Sequence, residues 1–96
     1  MFTSIFRWRV EGSLEDLAGK AEKGLVPVLR QCPGFIAYYV VDTGDGHAAT
    51  ICVFESRETE LASRDKAAAW AKDNASAYLP EPPEITAGET LIAVTR

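Results

Sequence analysis

The order of two hydrophobic periods along the chain is the feature that most limits its fold. Apolar side chains recur at every second position over residues 2–10, which predicts a β-strand, and at helical spacing over residues 14–31, which predicts an amphipathic helix. The remaining predicted elements are strands at 35–42 and 48–55, a helix at 57–78 and a strand at 90–95. The resulting order, β-α-β-β-α-β, is that of the α+β ferredoxin-like fold, in which a four-stranded antiparallel sheet carries two helices on one face.

Local signals mark the ends of the two predicted helices. Ser13 and Ser56 precede them and are suited to N-capping, because a serine hydroxyl accepts a hydrogen bond from a free amide of the first turn. Gly24 and Pro27 fit the first helix poorly, since glycine is a weak helix former and proline lacks an amide hydrogen. We therefore expect a kink near residues 23–27, or a break that leaves two shorter helices.

The predicted strands are apolar on both faces. In the second strand the two alternating sets are Phe35, Ala37, Tyr39 and Val41 on one face and Ile36, Tyr38 and Val40 on the other. A sheet that is apolar on both faces has to be covered on both. The two helices cover one face, and no further segment of residues 1–96, which we take as a single domain, is left for the other. The sequence thus predicts a homodimer in which sheet faces sheet.

Composition argues against several classes of partner. The net charge of −4 and the absence of a Lys/Arg-rich run disfavour nucleic-acid binding, which needs clustered cations. No apolar run approaches the roughly 20 residues of a membrane helix, and no secretory signal is visible, so we expect a cytoplasmic protein without a membrane partner. Cys32 and Cys52 fit that compartment as reduced thiols, with a disulfide left open.

Motifs for metals, nucleotides and nucleophilic catalysis are missing from the sequence. The two cysteines lack paired metal-site spacing and His47 is the one histidine, so we expect no metal site. Neither a dinucleotide-binding glycine motif, a P-loop nor a G-x-S-x-G nucleophile elbow occurs. The sequence therefore predicts a protein that uses no cofactor.

Three segments resemble a known family. The run Pro33–Tyr39 resembles the start of the second strand in dimeric α+β barrel proteins. The run Val53–Ser56, followed by a helix that carries Ala69-Trp70, resembles the strand–helix junction of the antibiotic-biosynthesis-monooxygenase superfamily, and the tail at 82–89 resembles its uncharacterised bacterial members. The likeness covers essentially the whole chain. It implies a homodimer with a pocket between sheet and helices in each subunit. Some members oxidise phenols or quinols without metal or organic cofactor, and others degrade haem.

Trp70, Asn74 and Tyr78 are the candidate catalytic residues. They lie at positions i, i+4 and i+8 of the predicted second helix and so share one face. In this interpretation they orient a phenolic or quinone-like substrate, with Asn74 donating to a developing oxyanion and Tyr78 relaying a proton. Only Trp70 matches the family's helix motif. In the alternative interpretation Trp70 and Tyr78 pack against the sheet and Asn74 is exposed.

Arg7, Tyr39 and Phe54 are the candidate substrate-binding residues. Arg7 would hold a carboxylate or phenolate, and the two aromatic rings would form part of the wall of an apolar pocket for a flat ligand. The same aromatic surface is equally suited to the core of a dimer interface.

Two functions remain open at this point. The first is a homodimer that binds a small aromatic or quinone-like molecule and oxidises it without a cofactor. The second is a non-catalytic binding, sensing or structural dimer of the same fold. Haem degradation is disfavoured, because a haem ligand on the second helix would usually be a histidine, whereas His47 follows the predicted hairpin turn.

Overall fold

Four strands and two helices follow one another in the predicted order. The computed structural model describes residues 1–96 and contains the elements β1 (Phe2–Arg9), α1 (Leu14–Arg30), β2 (Phe35–Gly44), β3 (His47–Phe54), α2 (Arg57–Asn74) and β4 (Glu84–Glu89). All strand pairs are antiparallel, and the order across the sheet is β2-β3-β1-β4. This confirms the α+β ferredoxin-like prediction. Neither helix is long and apolar enough to cross a membrane.

Both helices begin at the predicted caps. Ser13 Oγ accepts from the amide of Asp16 at 3.1 Å, and Ser56 forms a reciprocal capping box with Thr59. α1 is one helix that contains Pro27, so the alternative of two shorter helices is wrong. Proline leaves the carbonyl of Lys23 without its helical donor, and Lys23 is exposed, so water can replace that donor.

The core lies between α1 and one face of the sheet, the inner face. It is built from five buried side chains: Ala21, Leu25, Leu29, Cys32 and Phe54. Phe54 is fully buried and meets Phe35 edge to face at a centroid distance of 5.7 Å. Both cysteines are free thiols.

α2 ends four residues earlier than predicted, at Asn74 instead of Tyr78. Ala75 leaves the helical conformation, with φ −128° and ψ 4°, and the following residues form a turn in which the amide of Tyr78 donates to the carbonyl of Ala75 at 3.0 Å. The carbonyl of Tyr78 accepts from the amide of Glu11 at 2.8 Å. This contact ties the end of α2 to the loop after β1, so the chain turns before Pro80, the first proline after α2.

The predicted position of the last strand is wrong. β4 occupies Glu84–Glu89, whereas residues 90–95 lie outside the sheet. Pairing with β1 runs from Arg7↔Glu84 to Phe2↔Glu89 and therefore reaches the first residue of β1. Beyond it a single backbone hydrogen bond, from Thr90 to Met1, continues the pairing. The apolar run that suggested a strand is instead exposed: Leu91 92%, Ile92 84% and Val94 87%.

The second face of the sheet, the outer face, is not covered by any element of the chain. At its centre Ile51 of β3 lies between Ile5 of β1 and Tyr39 of β2, its register partners. Tyr39 is 56% exposed and Val41 41%. A bare apolar sheet face of this kind is what the dimer prediction requires.

A candidate ligand pocket between the sheet and the helices

A cavity of about 300 Å³ lies between the inner face of the sheet and the two helices. Protein interiors are normally close-packed, and this volume falls at the lower end of the roughly 300–1,000 Å³ of small-ligand pockets. Of the 25 residues that line the cavity, 20 are hydrophobic, which suits an apolar ligand. The sequence creates the space by placing small side chains on the inward side of α2 and at its C-cap: Ala67, Ala68, Ala71 and Ala75.

Aromatic rings of β1 form one wall of the cavity. Phe6 and Trp8 point to the same face of the strand, and their rings are stacked at a centroid distance of 6.3 Å with 13° between the planes. The indole Nε1 of Trp8 donates to Thr50 Oγ1 of β3 at 3.2 Å, which fixes the ring and satisfies its one polar atom. The wall therefore presents apolar ring surface to the cavity.

The two charged residues that line the cavity form an ion pair on α2. Glu60 and Arg64 both line it, and the Glu60 side chain is 1% exposed. Arg64 donates to the Glu60 carboxylate through Nε at 2.7 and 3.0 Å and through Nη2 at 2.5 Å. The guanidinium carbon also lies 5.4 Å from the centroid of the Phe6 ring, a cation–π contact. These hydrogen bonds raise the pKa of Arg64 above its ordinary value, so its guanidinium stays protonated at neutral pH.

The sequence interpretation missed this pair. An acid and a base four residues apart usually mark an exposed helix face. The pair could have been found from the helical spacing of the residues that face inward from α2. Glu60 shares that spacing with Ser63, Ala67 and Trp70.

Two titratable groups of the sheet face the cavity as neutral groups. Tyr38 and Cys52 are register partners on β2 and β3. Burial, and to a lesser degree the charge of Glu60, raises the pKa of Cys52 to about 12. Burial likewise raises the pKa of Tyr38 well above its ordinary range. At neutral pH the thiol and the phenol are therefore protonated, and neither supplies a thiolate nucleophile or a phenolate base.

Of the three candidate catalytic residues, Trp70 alone lines the cavity. Its indole packs on α1 at Gly24, where an added Cβ would lie 2.5 Å from Nε1. This contact explains why a weak helix former stands inside α1. Asn74 is exposed, and its Nδ2 donates to the carbonyl of Trp70 at 2.9 Å. Tyr78 lies beyond α2, with Lys20 Nζ 5.7 Å from its ring centroid.

The three candidate substrate-binding residues do not line the cavity either. Arg7 is exposed on the outer face and donates from Nη1 to Thr86 Oγ1 at 3.3 Å. Tyr39 also lies on the outer face, and Phe54 lies on the inner face within the packed core. The structure thus distributes the predicted residues over two faces and a surface turn. Exposed His47 contacts the carbonyl of Asp45 at 3.0 Å, away from the cavity.

Comparison of sequences finds no match, whereas comparison of structures finds several. No protein-family profile and no curated protein matches the sequence. A monooxygenase of Streptomyces coelicolor, solved with nanaomycin D, superposes with a TM-score of 0.78 at 20% identity over 99% of this chain and 91% of that one. SnoaB of Streptomyces nogalater, a cofactor-independent oxygenase, superposes at 0.76 and 12% identity, over 99% and 97%.

The fold is that of the antibiotic-biosynthesis-monooxygenase-like proteins. The similarity extends to MhuD, solved as a mutant with two manganese protoporphyrin IX molecules per active site, at a TM-score of 0.73 and 15% identity over both full chains. At 12–20% identity the resemblance is one of fold. One fold hosts different chemistries, so the function of this chain depends on its own cavity.

Proposed function

We propose that the chain forms a homodimer whose cavities each bind a small planar aromatic molecule, phenolic or quinone-like, and oxidise it with molecular oxygen without a metal or organic cofactor. The observation that carries the proposal is the cavity itself, an apolar space with aromatic walls and one buried ion pair. Such a site gains most from a flat apolar ligand that carries few polar atoms. The solved relatives that bind nanaomycin D or act as a cofactor-independent oxygenase make this chemistry plausible for the fold.

The proposed reaction draws its electrons from the substrate. An electron-rich phenol reacts with oxygen so that one oxygen atom enters a ring carbon as a carbonyl and the other leaves as water. The chain contributes binding, orientation and exclusion of bulk water from the ring. Trp70 is proposed to position the ligand, because it lines the cavity and Gly24 fixes its indole. Asn74 and Tyr78 are left out of this role, since their side chains lie elsewhere.

The homodimer is proposed from the outer face. Ile5, Ile51, Tyr39 and Val41 lie there without cover, and the outer face of a second copy would bury them. Burial of apolar area is favourable by about 25 cal/mol per Å², so the free energy of association grows with the covered area. In this arrangement Tyr39 belongs to the interface, which is the alternative role given above to the aromatic residues of the sheet, and Arg7 lies on the same outer face.

Oxygen uptake tests the proposed activity. The wild type is incubated with a panel of phenols and quinols in an oxygen-electrode cell, beside Trp70→Phe and Asn74→Ala. We expect uptake with at least one substrate, a rate lowered roughly tenfold or more in Trp70→Phe, and an unchanged rate in Asn74→Ala. Equal rates in the wild type and Trp70→Phe would contradict the role of Trp70.

A second candidate function is non-catalytic binding by the same cavity. The observation that favours it is the burial of Tyr38 and Cys52, which raises the pKa of both side chains and so disfavours a thiolate or phenolate that could remove a substrate proton. A wild type that binds aromatic ligands but consumes no oxygen with any substrate of the panel would establish this function instead.

A further inference from the structure

We propose that Arg64, held in place by Glu60, is the specificity residue of the cavity and selects neutral planar aromatic ligands that carry a ring carbonyl over both unsubstituted and anionic ones. The inference rests on the proposed function, because it names the ligand class of the same cavity. It does not depend on catalysis.

The first relevant property of Arg64 is the number of hydrogen bonds that it can donate. A guanidinium has five N–H donors. Nε and Nη2 are engaged by Glu60, whereas Nη1 has no hydrogen-bond partner in the chain. The Arg64 side chain is 29% exposed, against 1% for Glu60, so it is the more accessible member of the pair. Nη1 is thus an unengaged charged donor on a residue that lines a mainly apolar cavity.

The second step is the fixed orientation of the guanidinium. Three hydrogen bonds to one carboxylate and the face of Phe6 hold it from two sides. An isolated lining arginine would have to lose side-chain freedom when a ligand binds. Here Glu60 has already restricted that freedom, which makes Glu60 a positioning residue for Arg64.

The third step is charge. Glu60 neutralises Arg64, so the pair adds no net charge to the cavity. A ligand carboxylate would have to enter an apolar site beside the Glu60 carboxylate, with a cation that is already paired. A carbonyl oxygen accepts from Nη1 without bringing a charge into the cavity. The pair therefore favours a neutral acceptor.

The fourth step is the position of the donor relative to the aromatic wall. The guanidinium lies against Phe6, and Phe6 is stacked with Trp8. A planar ligand that packs along these rings brings an oxygen on its edge towards Arg64. One ligand molecule can therefore contact the aromatic rings and accept a hydrogen bond from Arg64 at the same time.

The test uses three ligands that share one benzo-fused bicyclic skeleton, whose benzene ring is the planar aromatic part, and that carry no thiol-reactive group: tetralin, 1-tetralone and tetralin-1-carboxylate. Their affinities are measured by calorimetric titration of the full chain. We expect the wild type to bind 1-tetralone roughly tenfold more tightly than tetralin, the gain of one hydrogen bond to a charged donor, and to bind the carboxylate no more tightly than tetralin.

The double variant Glu60→Leu/Arg64→Met removes the pair without leaving a buried charge, which keeps the fold testable. We expect it to lose the preference for 1-tetralone while its affinity for tetralin changes by less than about threefold. Arg57→Met replaces an exposed arginine of the same helix and is expected to retain the wild-type preference.

Three outcomes would overturn the inference. The wild type binds tetralin and 1-tetralone equally, the preference persists in the double variant, or the carboxylate binds most tightly of the three. All three leave the cavity as a ligand site. Binding of none of the ligands by the wild type is a different result, because it contradicts the proposed function as well.

Discussion

At the scale of single residues, the pair of Glu60 and Arg64 is unusual because one of its two charged side chains is buried. A fully buried carboxylate is tolerated because a guanidinium satisfies it with three hydrogen bonds. The pair had no distinctive mark in the sequence, since the same spacing occurs on exposed helices. Trp70, in contrast, was identified from the sequence through its place in the strand–helix motif. The difference is physical: a large aromatic side chain is rarely free in water, whereas burial of a charge depends on tertiary packing.

Arg64→Met should therefore destabilise the protein. The substitution leaves the Glu60 carboxylate buried without its partner, and we expect the free energy of unfolding to fall by about 3 kcal/mol. Urea unfolding at neutral pH measures the change. Adding Glu60→Leu should restore most of the loss, while Arg57→Met on its own should change stability by less than about 0.5 kcal/mol. Wild-type stability in Arg64→Met would show that Glu60 does not need Arg64.

Cys52 predicts a loss of stability at alkaline pH. Its pKa is raised from 9.0 to about 12 in the folded protein, so the unfolded chain releases the proton first. The contribution of Cys52 to the free energy of unfolding is then fully present below pH 9.0. It falls as the pH rises from there towards 12, with a slope of up to about 1.4 kcal/mol per pH unit. Urea midpoints on either side of pH 9.0 should separate more in the wild type than in Cys52→Ala. If the urea midpoints of the wild type and of Cys52→Ala separate equally, the raised pKa of Cys52 is contradicted.

At the scale of elements, the helix caps and the order of the elements along the chain were predictable, whereas the end of α2 and the position of β4 were not. Ser13 and Ser56 act locally, so the sequence alone identified both caps. α2 ends at Asn74 because the following turn is tied to Glu11, a contact between segments far apart in the chain. β4 begins at Glu84 because its register on β1 decides which residues pair. Neither long-range contact leaves a periodic trace in the sequence.

Two glycines of α1 make a matched test of the contact with α2. An alanine Cβ at Gly24 would meet the Trp70 indole at 2.5 Å, whereas one at Gly19 would meet nothing within 4 Å. We expect Gly19→Ala to stabilise the protein by about 0.5–1 kcal/mol, because alanine is the better helix former. Gly24→Ala should instead destabilise it by about 1–3 kcal/mol and shift the tryptophan emission. Thermal unfolding with fluorescence detection gives both values, and stabilisation in both variants would refute the contact.

At the scale of the whole molecule, the sheet has two apolar faces, and both have to be shielded from water. The inner face is covered by α1 and α2 and encloses the cavity, and the outer face is left bare. The alternation of apolar residues along the strands predicted this situation before the structure. The cavity was not predictable in the same way, because its volume depends on how far α2 stands from the sheet.

A charge at the centre of the outer face should disrupt the proposed dimer. Ile51→Lys places an ammonium group between the two sheets, which would have to be desolvated in the interface. Sedimentation velocity should show a dimer for the wild type and a monomer for Ile51→Lys. The matched control Ala62→Lys adds the same charge at an exposed position of α2 and should remain dimeric. A monomeric wild type at high concentration would contradict the interface.

The central claim is that the space between sheet and helices is a binding site for planar aromatic ligands. Both tryptophans of the chain, Trp8 and Trp70, line that space, whereas the side-chain amide of Asn74 lies outside it. Titration of ¹⁵N-labelled protein with 1-tetralone, followed through the side-chain resonances, therefore tests the claim in one measurement. We predict that both indole N–H signals shift in a saturable manner while the Asn74 amide signal stays in place. Indole signals that do not move while the ligand binds elsewhere would contradict the account.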